Sequence, residues 1–202
     1  MASTATRILD RDLARVAGGT FTDRFGTEGA DHINTGDGMD KVFGAGGNDT
    51  IATAGGQDEV HAGSGNDIVD AGAGEDKVFG GAGHDVLAGG SGTDELFGED
   101  GDDHLRGGAG HGDKVFGGEG NDTMWWQAGD GNDELHGGNG QDNVMLQGLS
   151  LQQVLDGLQL YQGGNYSISG NAIVFDGPVN GQFMVNGELV KFFGIEQITI
   201  AG

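Results

Sequence analysis

Single apolar residues punctuate the middle of this chain at a fixed interval. Ile33, Val42, Ile51, Val60, Val69, Val78, Leu87, Leu96, Leu105, Val115, Met124, Leu135 and Val144 lie nine residues apart, with one extra residue before Val115 and two before Leu135. Two positions ahead of each stands an aspartate: Asp31, Asp40, Asp49, Asp58, Asp67, Asp76, Asp85, Asp94, Asp103, Asp113, Asp122, Asp133 and Asp142. Nonapeptides such as GAGGNDTIA and AGSGNDIVD therefore read as one turn and one short strand. Glycine supplies the positive-φ turn, and x-U-x supplies three extended residues with one apolar side chain on one face. One unit buries almost nothing, so the thirteen units of residues 26–145 predict a stacked solenoid with a continuous apolar ladder inside.

Composition agrees with an array of turns and short strands. The chain has 45 glycines in 202 residues, one proline, no cysteine and 7% aromatics, which leaves little material for a large helical core and none for disulfides or zinc-thiolate sites. No 18-residue apolar run predicts a membrane span, and no basic leader followed by an apolar stretch predicts a signal peptide. Net charge is -23, and residues 26–145 carry -21 of it (25 acidic, four basic). Such a field repels nucleic acid and attracts cations. An acidic, glycine-rich composition alone is compatible with disorder. The double register of aspartate and apolar residue excludes it.

These repeats resemble the G-G-x-G-x-D-x-U-x nonapeptide of the RTX, or haemolysin-type, calcium-binding family. The resemblance implies an all-β fold, a right-handed parallel β-roll in which two repeats make one 18-residue coil and successive repeats lie on opposite sheets. It also implies calcium between turns two repeats apart, held by carbonyls and the thirteen aspartates above, roughly ten ions in all. Catalysis in this family belongs to separate domains. This chain shows no G-x-S-x-G and no H-E-x-x-H, and its histidines (32, 61, 84, 104, 111 and 136) are scattered one per repeat, so no enzyme is expected.

The pentapeptide DKVFG occurs at residues 40–44, 76–80 and 113–117, always in an even repeat and hence on one sheet. The seventh positions of the even repeats, Lys41, Glu59, Lys77, Glu95, Lys114 and Glu134, alternate in sign. The ninth positions are Phe43, His61, Phe79, Phe97, Phe116 and His136. Both flank the inward residue and so point outward. An aromatic stripe beside a charge ladder predicts an interface; the alternative is that the C-terminal segment covers it. The extra residues, around His111 and around Trp126 and Gln127, fall in even repeats on one edge and read as tolerated loop insertions, with a modified ion site or docking bulge as the alternative.

The flanks read as caps. In residues 1–25, Leu9, Leu13 and Ala17 suit a short helix stopped by Gly18 and Gly19, with Arg7, Arg11 and Arg15 on another stripe. In residues 146–202, Ser150 and Gln153 suit a capping box for a helix LQQVLDGL, followed by strands YSIS, AIVF, QFMV, ELVKF and ITI, with Asn186-Gly187 as a hairpin turn. This tail resembles the segment that closes RTX rolls and carries the type I secretion signal. Three function classes follow: a secreted, self-associating structural protein (filament, surface layer or matrix); a non-catalytic module for polysaccharide or a cell surface, to which an acidic face is poorly suited; and an ice-binding roll. The last needs a regular Thr or Asx ladder, and only Thr50 and Thr123 stand at outward seventh positions.

Overall fold

The computed structural model describes residues 22–201; the short helix expected from Leu9, Leu13 and Ala17, with its stripe of Arg7, Arg11 and Arg15, lies outside the described residues. The chain forms a parallel β-solenoid of about seven turns. One series of strands, Thr22–Phe25, Asp40–Gly46, Glu59–Ser64, Lys77–Ala82, Glu95–Asp100, Lys114–Glu119 and Glu134–Asn139, stacks in parallel register on one side. The other series, His32–Asn34, Thr50–Ala52, Ile68–Gly74, Val86–Gly92, His104–Gly110, Thr123–Gln127 and Asn143–Gln147, stacks on the other. Each strand pairs with the strand two repeats away, because the intervening repeat has crossed to the opposite sheet.

The eighth residue of every repeat points inward. Val42, Val60, Val78, Leu96, Val115 and Leu135 form one interior column, and Ile33, Ile51, Val69, Leu87, Leu105, Met124 and Val144 the other, all buried. Each contributes about 1.5–3 kcal/mol of apolar burial, and no single coil suffices alone. The turns are tight enough to exclude a Cβ at the fourth position. Gly74 sits at φ 150°, and a side chain there would collide with the Gly56 carbonyl one coil below.

After Gln147 the pattern changes. Ser150 caps a helix over Leu151–Gly157, and Gln153 returns the capping bond to the Ser150 amide. The strands AIVF and QFMV are one strand, Ala172–Val185, whose register slips between Val174 and Gly181; the bulge accommodates Pro178, which has no amide to give. The segments ELVKF and ITI are likewise one strand, Glu188–Ala201. The turn between them has φ 54° at Asn186 and 91° at Gly187, the double positive φ of a tight hairpin. Glu188–Ala201 then completes a last coil: Lys191–Phe193 pairs in parallel with Glu134–His136, and Gln197–Ala201 with Asn143–Gln147.

The two insertions behave differently. His111 is exposed in its loop, where its carbonyl accepts the Thr93 hydroxyl (2.9 Å). Trp126 is instead wholly buried, as the second inward residue of Thr123–Gln127, edge-on to Phe183 at 5.8 Å. The expectation of a tolerated loop is corrected there: the extra residues lengthen a strand and drive an indole into the junction between roll and cap.

Candidate metal centre: two ladders of buried aspartates

Each sixth-position aspartate closes its turn by bridging to the next coil. The Asp49 amide donates to Oδ1 of Asp67 (2.7 Å), Asp67 to Asp85 (2.8 Å), Asp85 to Asp103 (2.8 Å) and Asp103 to Asp122 (2.9 Å). On the opposite edge Asp40 donates to Asp58 (2.7 Å), Asp58 to Asp76 (2.8 Å), Asp76 to Asp94 (2.9 Å), Asp94 to Asp113 (2.9 Å) and Asp113 to Asp133 (3.0 Å). The thirteen predicted aspartates thus fall into two rows, one on each edge of the roll. Asp31 starts the first row by donating to Asp49 (2.8 Å), and Asp122 continues it to Asp142 (2.9 Å).

The second carboxylate oxygen is the notable one. Oδ2 of Asp49, Asp58, Asp67, Asp76, Asp85, Asp94, Asp103, Asp113, Asp122 and Asp142 is buried and, among the described residues, without a hydrogen-bond partner, in residues only 0–3% exposed. An unpaired buried oxygen of this kind costs several kcal/mol if ionised and uncompensated. Burial accordingly pushes these acids up, to about 7 for Asp85, Asp94 and Asp122 and about 6 for Asp49, Asp58 and Asp142, against the partial offset of the amide each accepts. Neighbouring aspartates in the same row raise five of these six further, and Glu196 raises Asp142.

The first glycine of the repeat keeps space open in front of that oxygen. A Cβ at Gly80, Gly98, Gly117 or Gly137 would come within 3 Å both of Oδ2 of the aspartate five residues on and of a carbonyl oxygen one coil further along. Carboxylate and carbonyl oxygens brought together in this way suit a hard cation such as calcium. Among the described residues no three acidic, His or Cys side chains converge on one point. A cation at these turns therefore relies on carbonyls as much as on carboxylates.

Two turns depart from the pattern. Oδ2 of Asp31 accepts the Thr27 amide (2.6 Å) and hydroxyl (3.0 Å). Oδ2 of Asp133 accepts the Trp126 indole N–H (3.0 Å), where an indole stands in place of the first glycine. Asp133 is nonetheless pushed up to about 7, by burial first and by Asp113 second. The inserted Asp130, also buried, takes the Gln127 amide on Oδ2 (3.0 Å) and lies 3.6 Å from the Arg106 guanidinium through Oδ1.

Glu196 escaped the sequence reading. Its Oε2 accepts the Asp142 amide (2.8 Å), so it is the last member of the first row. The signal was present: Glu196-Gln197-Ile198-Thr199-Ile200 repeats the order acid, polar, apolar of Asp142-Asn143-Val144-Met145-Leu146. The outward face of the even sheet was underestimated for the same reason. Phe25 and Phe193 extend the ring column to eight, stacked at centroid spacings of 4.5–5.2 Å. Asp23, in register with Lys41, and Lys191, in register with Glu134, extend the charge ladder at both ends. The C-terminal segment touches this column at its end, where Tyr161 lies 6.3 Å from Phe193.

The RTX calcium-binding nonapeptide repeat matches residues 25–60, 53–87, 79–112, 88–124 and 127–146. No curated protein matches the chain. RTX repeats bind calcium, and the oxygen-lined turns fit that ion. With the matches covering more than half of its length, the chain belongs to the RTX calcium-binding repeat family.

Proposed function

We propose that this chain is a secreted structural protein that folds when it meets calcium outside the cell and then self-associates through its even sheet face. The observation that carries the calcium half is the ten buried, unpartnered Oδ2 atoms. Ionised and without a cation they oppose folding, so the chain stays extended for type I export through its C-terminal signal and coils, right-handed, at extracellular calcium levels. The predicted aspartates hold roughly ten ions together with turn carbonyls. Calcium's part is charge: it neutralises the carboxylates that stand in a row along each edge. The association half rests on the ring column and the Lys/Glu ladder, with Phe43, Phe79, Phe97 and Phe116 at its centre and a filament, surface layer or matrix as its product.

The reading of a polysaccharide-binding module is weakened by the same column. Sugars stack on ring faces, and between Phe43 and His136 every face is covered by the next ring. Only ring edges remain.

Circular dichroism during a calcium titration tests the folding claim. Cooperative gain of β-structure between about 0.1 and 1 mM calcium is expected, with magnesium ineffective because it demands a tighter, reluctantly dehydrated octahedron. Equal β content in EDTA and in calcium overturns it.

A further inference from the structure

We infer that two copies of the folded roll pair face to face and antiparallel on the even sheet, related by a two-fold axis that runs along the strands between the Lys77 and Glu95 rungs. This rests on the proposed association through that face and specifies its partner, a second copy, and its register; a two-fold contact closes on itself, so a filament, surface layer or matrix would be built from such pairs through a further contact elsewhere on the roll. Charge complementarity sets both partner and register. From Asp23 to Lys191 the ladder has eight rungs in parallel register, alternating in sign without a break. An alternating row with an even number of members reads with opposite sign at every rung when reversed. Full antiparallel overlap therefore sets Lys77 against the partner's Glu95 and Lys41 against the partner's Glu134, and every other rung likewise against its opposite. A slip of one rung sets like against like throughout.

Geometry removes the competing arrangement. Two identical faces can meet about a two-fold axis along the strands or along the roll. The axis along the roll reverses each strand and lays charge column over ring column, so Lys ammoniums would be desolvated against the electropositive ring edges. Only the axis along the strands lays charge on charge and ring on ring. It also sets each histidine of the column, His61 and His136, opposite a phenylalanine. The central rungs have bonding capacity to spare: Glu95 is shared by Lys77 at 3.5 Å and Lys114 at 3.4 Å, whereas the outer pairs Lys41–Glu59 and Lys191–Glu134 close at 2.6 Å. The strip is about 34 Å long at about 4.8 Å per rung. At roughly 400 Å² per copy it is half the size of a standard stable interface, which makes the dimer weak and salt-sensitive.

The chain contains no cysteine, so single-cysteine variants report the register directly. Facing sheets stand about 10 Å apart, within reach of a thiol-to-thiol linker of similar span. In calcium at about 0.3 mM protein, Lys41→Cys mixed with Glu134→Cys should give covalent dimers. Either variant alone should not, since its own copies lie five rungs, about 24 Å, apart. Glu59→Cys with Lys114→Cys should behave the same way, in case the end rungs fray. Raising salt from about 0.05 to 0.5 M should weaken the dimer about tenfold. Product from Lys41→Cys alone, or a sedimenting dimer that neither mixed pair captures, overturns the antiparallel register and leaves association standing. A monomer by sedimentation, with calcium-induced folding intact, overturns both.

Discussion

The nonapeptide coils and the C-terminal segment are joined by continuous strand pairing, yet they bury different things. Between Asp40 and Asp142 each repeat buries its sixth-position carboxylate and its eighth-position apolar residue, joined among apolar and acidic side chains by Ala62, Ala71, Trp126 and Asp130. Beyond Gln147, Val154, Ile173, Phe175, Phe183, Val185, Val190, Phe192, Ile195, Ile198 and Ile200 are buried, and among the described residues no carboxylate is. The first region has a thin core whose stability depends on what neutralises its acids; the second has a thick core that depends on apolar contact alone. Glu188–Ala201 serves both, lending Phe192 and Ile198 to the interior columns of the roll while pairing with Ala172–Val185 in the cap. A solenoid needs such an end, because its last coil would otherwise expose both apolar columns and two open strand edges.

The largest separation between the regions should come from pH in the absence of calcium. Folded, Asp85, Asp94, Asp122 and Asp133 titrate at about 7, and Asp49, Asp58 and Asp142 at about 6, against an ordinary 3.8. Between these limits the folded roll binds more protons than the unfolded chain, so its stability rises as pH falls from about 7.5 toward 4 and is lost again on the way back up. In calcium the sign reverses, because protons compete with the ion for the same oxygens. In EDTA, β content by circular dichroism should therefore rise on acidification from about pH 7.5 to about pH 5, and urea midpoints measured in millimolar calcium should drop over the same range. A β content in EDTA that ignores pH would mean that the aspartate rows open to water once the ion is gone.

How much of this was legible follows the same division. The roll could be read because one physical demand recurs thirteen times, and a residue serving it, such as Asp85 or Leu87, is identified by its neighbours in register. Repetition also hid the ends. Asp23-Arg24-Phe25-Gly26 and Lys191-Phe192-Phe193-Gly194 are worn copies of the Asp-Lys-Val-Phe-Gly phrase, and without the glycine-rich turn before them they do not announce a coil. In the cap, Ser150 with Gln153 and Asn186 with Gly187 carry local turn and capping chemistry that a sequence displays. The merging of AIVF with QFMV into one bulged strand depends on pairing with Glu188–Ala201, which lies far along the chain. Trp126 was misjudged because an insertion beside glycines resembles a loop, and only the position of Phe183 shows that there is a pocket for the indole.

At the junction the expected effect is smaller but still severe. Trp126 contributes packing against Phe183 and an indole N–H to Asp133. Trp126→Ala should cost about 3–5 kcal/mol in calcium through the cavity it leaves. Trp126→Phe retains much of the apolar contact and removes only the donor, exposing Asp133 Oδ2 to the deficit its neighbours have. If a cation can serve that turn as it serves the others, Trp126→Phe should recover stability as calcium is raised, while Trp126→Ala should not. Denaturant midpoints at several calcium concentrations separate the two. Parallel curves for both variants would show that the indole is there for volume alone.

The smallest effect belongs to the outer face of the roll. Lys41 Nζ stands 2.6 Å from Glu59 Oε1, the same oxygen that His61 Nε2 reaches at 2.7 Å, and both side chains of the Lys–Glu pair are about 40% exposed. The Lys41 bond, then the His61 bond, holds the Glu59 carboxyl below its usual range. Solvent at this exposure screens the attraction, and the pair must still fix two long side chains, so a double-mutant cycle of Lys41→Ala and Glu59→Ala should return about 0.2–1 kcal/mol. Lys41→Ala alone should cost more than that coupling, because Lys41 also stands beside the Phe43 ring, its Nζ 5.3 Å from the centroid, and truncation uncovers that ring. The coupling should vanish in about 0.5 M salt, whereas loss of an apolar cap contact such as Phe183 should not respond to salt at all. A coupling that survives high salt would mean the ladder is shielded from water, as it would be if a second roll already covered it. Repeating the cycle below and above the concentration at which the protein dimerises tells those two cases apart.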